Sequence, residues 1–135
     1  MKKLFLLLLL AGSANAAPLP GFKSLPDYRR DYHCLPFSQQ CVLALHARGI
    51  PATQIFYRWN APGESGAHAA VLFQNEGAFW FMDNTLSAPR RVTAKTDFGC
   101  IVQVTSKQVF ITLVDRLGNS VAAKPMAERF SKAGL

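Results

Sequence analysis

Hydrophobic positions change their period along this chain. An unbroken apolar run over residues 4–10 follows Lys2 and Lys3. Over residues 36–48 the apolar side chains fall at 37, 41, 42, 44 and 45, the spacing of one helical face. Pro36 suits the first turn of that helix, where a missing N–H costs nothing, and Gly49 followed by Pro51 ends it. The period then shortens to two. Residues 53–59, β-branched and aromatic, predict a strand, and residues 60–67, with Pro62, Gly63 and Gly66, a loop. Segments 68–74 and 78–82 flank Asn75-Glu76-Gly77, a hairpin turn signal. Segments 101–105 and 109–114 predict a second strand pair turning at 106–108, with a further turn at 115–119. Residues 17–33 read as irregular or one short helix, and the tail over residues 120–135 as a helix that Pro125 weakens. One helix packed on an antiparallel sheet is an α+β architecture.

Composition adds a destination. The basic start, the apolar run and the small-residue site Ala14-Asn15-Ala16 before Ala17 have the form of a signal peptide over residues 1–16. The run is too short to span a bilayer as a stable anchor, and no cysteine follows the cleavage site to carry lipid. Cleavage leaves residues 17–135 as a single domain, exported to the periplasm or secreted. That domain keeps 13 of the 15 basic residues against 8 acidic ones, a net charge of +5. Apart from Arg29-Arg30 and Arg90-Arg91 the basic residues are scattered, with no basic-aromatic array of a nucleic-acid binder.

Three cysteines in an exported chain allow one internal disulfide at most. A Cys41–Cys100 bond leaves Cys34 free and is the pairing favoured here. The alternative, Cys34–Cys100, would block Cys34. At the N-terminus of the predicted helix, outward N–H groups and the helix dipole favour a Cys34 thiolate. His68 starts one strand of the predicted hairpin and Asp83 ends the other, so the turn alone makes them neighbours. Nucleophile, base and orienting carboxylate are the parts of a Cys-His-Asp catalytic triad, here Cys34, His68 and Asp83. The Cys34 N–H is the natural oxyanion donor, with Tyr32 or His33 offered for a second. A metal reading built on His33, Cys34 and His46 or His68 matches no zinc spacing, and Asp27 with Asp31 forms no calcium loop. No metal and no cofactor is expected.

The segment CLPFSQQCVLALHARGIPA resembles the first motif of the transglutaminase-like cysteine peptidase superfamily. Cys34, Phe37, Ser38 and Gly49-Ile50-Pro51-Ala52 stand at its nucleophile, aromatic, small and helix-end positions. The segment HAAVLFQNEGAFWFMDNT resembles the second motif through His68, Gly77, Trp80, Asp83 and Thr85. His33, Ala70 and Asn84 depart from it, where the family often has Gly, Trp and Pro. The resemblance implies a papain-like core with an N-terminal catalytic helix, a Cys-His-Asp triad and acyl-enzyme chemistry. The expected activity is hydrolysis of peptide or side-chain amide bonds, with peptide or protein substrates, envelope-associated ones included. Two other readings stand beside it: an inactive envelope binding module of the same fold, and a peptidoglycan amidase of NlpC/P60 type. The second usually has a further His after the first, and none follows His68.

Overall fold

A computed structural model of the chain describes residues 17–26, 28, 29 and 33–131. Residues 1–16, expected from the sequence to be a signal peptide, and Asp27, Arg30, Asp31 and Tyr32 lie outside the described residues. Five strands, β1 (Ala52–Ala61), β2 (Glu64–Asn75), β3 (Ala78–Met82), β4 (Arg90–Val92) and β5 (Phe110–Val114), form one sheet in the order β4-β3-β2-β1-β5. Every neighbouring pair is antiparallel. Three α-helices, α1 (Cys34–His46), α2 (Asp97–Val104) and α3 (Met126–Ser131), and a 3-10 turn at Phe22–Ser24 complete a mixed α+β fold. No helix among the described residues is long and apolar enough to cross a membrane.

The β2–β3 turn forms where the sequence predicts it. Asn75 pairs with Ala78, and Glu76 and Gly77 both take positive φ, 58° and 71°, as a type I′ hairpin turn demands. Residues 60–67, in contrast, are not a loop. Ala61 pairs with Glu64, so only Pro62 and Gly63 intervene, and β1 and β2 run as one long hairpin. Gly66 lies inside β2 because a side chain there would meet the Trp59 ring, whose atoms lie 2.8 Å from a Cβ at that position. Segment 101–105 also departs from expectation: it falls in and just after α2, and β5 pairs with β1 instead. The Thr96 side chain caps α2 by accepting the Gly99 N–H at 3.0 Å. The helix then buries Cys100 and Ile101 while exposing Val102.

Alternation along β2 sorts the core into two layers. Val71 and Phe73 pack with Phe37, Cys41 and Leu45 of α1, together with Ile50, Met82 and Phe22. Ala70 and Leu72 face the other way, with Tyr57, Phe81, Cys100 and Ile101 of α2, and Met126 and Phe130 of α3. Cys41 and Cys100 are therefore on opposite faces of the sheet. All three cysteines are free, and the expected Cys41–Cys100 disulfide is not formed. The sheet and a layer of side chains on each face separate the pair by more than the roughly 7 Å of Cα distance a disulfide can span. Each thiol is instead core, and burial pushes Cys41 up to about 12. Burial, with the Asp97 charge, pushes Cys100 up to about 11.

Candidate active site

The site forms where one strand stops short. β3 ends at Met82, opposite Val71, whereas β2 runs back to Glu64. The first half of β2 pairs with β1 alone. Gln74 donates its N–H to Pro51 on the β1 side at 3.0 Å, so alternation turns the N–H groups of Phe73, Val71 and Ala69 toward β3. At Ala69 β3 has already ended, and the Cys34 thiol takes that N–H instead.

Alternation also fixes the partners. His68 shares a face with Ala70 and Leu72, and Asp83, following Met82, shares it with Phe81. The hairpin thus brings His68 and Asp83 together: Nε2 of His68 lies 3.0 Å from Oδ2 of Asp83. The other carboxylate oxygen accepts the Thr85 N–H at 2.9 Å, the Thr85 hydroxyl at 2.7 Å and the Leu86 N–H at 3.1 Å. With Nε2 committed to Asp83, Nδ1 is the ring nitrogen left for the Cys34 thiol, which hydrogen-bonds His68. The Tyr57 ring meets the imidazole edge-to-face, with centroids 5.4 Å apart. Helix α1 packs on the opposite face, so Cys34, its first residue, reaches His68 around the open edge of β2.

Electrostatics follow from these contacts. The His68 hydrogen bond holds the Cys34 thiol below the usual thiol range, with help from the Ala69 N–H, the His68 charge and Cys34's own N–H; partial burial opposes it. Burial disfavours a charged His68 ring, yet hydrogen bonds and charge from Asp83 and Cys34 outweigh it and raise the ring to about 9. Burial likewise raises Asp83, and His68 and Thr85 more than reverse it, leaving the carboxyl below its usual range. Tyr57 is pushed up by burial and by the Asp83 and Cys34 charges, so it stays a neutral phenol. The shifts run in the direction of a thiolate–imidazolium pair oriented by a carboxylate, the thiol lowered and the imidazole raised.

No protein-family model, curated protein or solved structure matches this chain.

The three candidate residues of the sequence therefore converge, and the remaining histidines do not join them. His33 supplies the first helical carbonyl, accepting the Phe37 N–H at 3.1 Å. His46 sits at the far end of α1, 2.9 Å from the Ala52 carbonyl oxygen. Among the described residues no three His, Cys, Asp or Glu side chains cluster as metal ligands. Ala70 is a fully buried core residue. Sequence reasoning missed Tyr57, the Ala69 N–H and a hollow of about 360 Å³ beside Cys34. Only the cross-strand register exposes them: Tyr57 pairs with His68, and Phe56 with Ala69.

Proposed function

We propose that the protein is an exported cysteine hydrolase, a peptidase or amidase of the transglutaminase-like type, with a papain-like core in which α1 is the catalytic helix. The observation that carries this reading is the continuous Cys34–His68–Asp83 hydrogen-bonded chain, with the thiol lowered and the imidazole raised. A chain of this kind is the activated-nucleophile arrangement of acyl transfer.

In the proposed reaction the Cys34 thiolate adds to the carbonyl carbon of an amide, and the C=O electron pair moves onto oxygen. The Cys34 N–H, at the first helical position and so without an intrahelical acceptor, stabilises that oxyanion. His68 gives its Nδ1 proton to the leaving nitrogen as the C–N bond breaks, and a thioester remains. Neutral His68 then takes a proton from water, whose oxygen adds to the thioester carbon. Collapse expels the Cys34 thiolate and releases the acid, restoring the ion pair. Asp83 stays ionised throughout and holds Nε2. Peptide or protein substrates, including those of the cell envelope, are the proposed partners.

Alkylation of the native protein with iodoacetamide across pH, mapped by peptide mass spectrometry, tests this reading. Selective labelling of Cys34 at pH 6, lost in His68→Ala, is the expected result. Labelling of Cys34 at pH 6 no faster than that of a free cysteine overturns it.

A further inference from the structure

The hollow beside Cys34 points to a substrate class. It lies on the α1 face of the sheet, beyond the first turns of the helix. Phe56, Ala67, Ala69 and Val114 form its floor and apolar wall, with Leu35 and Gln39 of α1 on the other side. The cross-strand register explains the space. Phe56 stands opposite Ala69, and Arg58 opposite Ala67, so two methyl side chains occupy β2 where larger residues would fill the gap.

Arg58 and Arg116 both line this hollow. Arg58 donates to the Gly118 carbonyl. Arg116 lies over the Phe56 ring, 5.8 Å from its centroid, and donates to Oε1 of Gln54 at 2.7 Å. Gln54 in turn donates to the Ser38 hydroxyl at 2.9 Å, and Ser38 donates to the Leu35 carbonyl at 3.0 Å. A hydrogen-bonded relay thus ties Arg116 to the turn of α1 that begins with Cys34. A guanidinium has five N–H donors, so both arginines keep donors for a further acceptor. Asp115 is the acidic residue of the lining, and its carboxylate is engaged by its own turn. It accepts the Leu117 and Asn119 N–H groups, each at 2.9 Å. The hollow therefore presents two oriented cations and an apolar wall beside the thiol.

We propose that this hollow binds a carboxylate group of the substrate, placing a carboxylate-bearing residue next to the amide that Cys34 attacks. Arg58 and Arg116 supply the recognition, because a guanidinium matches a carboxylate in geometry as well as charge. An acidic side chain and a free C-terminal carboxylate present the same chemistry. The inference rests on Cys34 being the nucleophile, and the experiment separates the two claims.

The experiment measures Cys34 alkylation by iodoacetate and by iodoacetamide, each normalised to a free thiol. Iodoacetate carries the carboxylate, and iodoacetamide is its neutral counterpart. The expected result is a normalised preference for iodoacetate that falls about fivefold when Arg58→Gln and Arg116→Gln are combined. The preference is the ratio of the two normalised rates within each protein, so any effect of the variant on thiol reactivity common to both reagents cancels, and a thermal unfolding midpoint reports that the variant is folded. Arg90→Gln with Arg91→Gln, on β4 at the opposite edge of the sheet, removes the same charge and keeps the preference.

Short peptide pools then distinguish the sources by how well each slows iodoacetamide labelling. Protection by C-terminally amidated pools rich in Asp and Glu assigns the site to an acidic side chain. Protection by Asn- and Gln-containing pools with a free C-terminus assigns it to the terminal carboxylate. An iodoacetate preference unchanged in the Arg58/Arg116 variant, or equal protection by a neutral amidated pool, overturns the carboxylate site and leaves the nucleophile standing. Failure of both reagents to label Cys34 selectively overturns the nucleophile itself.

Discussion

The two halves of β2 have the same backbone form and opposite uses. From Val71 to Phe73 the strand is paired on both sides and fully buried between helices on either face. Every N–H there is spent on a neighbouring strand, and the side chains only pack. From Glu64 to Ala70 the strand has β1 on one side and no β3 on the other. In that half the Ala69 N–H serves a thiol, His68 is aligned for Asp83, and the small side chains of Ala67 and Ala69 leave a hollow. The comparison teaches that chemistry becomes possible where an antiparallel ladder is left unfinished beside a helix N-terminus. The complete half holds the unfinished half still.

Substitutions in the two halves should therefore separate activity from stability. His68→Ala in the open half removes the proton carrier, and a drop of about 10²–10⁴-fold in amide hydrolysis is expected, read as single-turnover thioester formation. The thermal midpoint should move little by comparison. Phe73→Ala in the closed half gives the reverse. Phe73 is fully buried, stacked on Trp80 with centroids 6.4 Å apart and packed against Phe22. Its loss should cost about 3–5 kcal/mol in denaturant unfolding, with the pH dependence of Cys34 labelling unchanged below the transition. If Phe73→Ala shifts that pH dependence, the two halves are not independent.

How far the sequence foretells this follows the range of the forces involved. The helix from Cys34 and the hairpin around Glu76-Gly77 are local: apolar spacing and positive-φ turn residues suffice, and His68 and Asp83 come together as a consequence. Gly63 and Gly66 mislead because they carry the signs of a loop. Pro62-Gly63 is only the tight turn of a long hairpin, and Gly66 makes room for Trp59. Ile101, Val102 and Val104 suggest a strand by residue type. Their helix is settled by tertiary contacts, with Cys100 and Ile101 buried in the core. The fate of the cysteines needs the layer order, which no spacing encodes: Cys41 and Cys100 end on opposite faces. The hollow beside Cys34 depends on cross-strand register, equally invisible before the sheet is assembled.

A third substitution probes the electrostatics of the open half. Asp83→Asn removes the charge that, with Cys34, raises His68 to about 9. The ion pair exists above the lowered Cys34 pKa and below the raised His68 pKa, so the activity profile is a bell between them. Without the carboxylate the imidazolium is less stable, and the high-pH limb should move down by about one to two units. The thiol loses part of its stabilising charge at the same time, so the low-pH limb should move up. Both limbs are read from Cys34 labelling and turnover against pH. A window that keeps its width would mean that Asp83 does not set the His68 charge.

The smallest expected effect concerns how the two covering helices are held. Helix α1 begins at Cys34, the proposed nucleophile, and has no side-chain cap hydrogen bond at His33. Helix α2, on the other face, is capped by Thr96. A capping oxygen over Cys34 would compete for the first-turn N–H groups that the proposed oxyanion uses, so leaving that end uncapped suits a site. The Thr96 cap has no such role, and Asp97 holds the same end a second time. Its buried carboxylate accepts the Phe98 N–H at 2.7 Å and the Lys124 N–H at 2.9 Å, and Arg129 pairs with it at 2.9 Å. Thr96→Ala should therefore cost about 1 kcal/mol, a shift of a few degrees in Tm, with hydrolysis and the Cys34 labelling window unchanged. A change in labelling with this variant would show that the two faces of the sheet are coupled through β2.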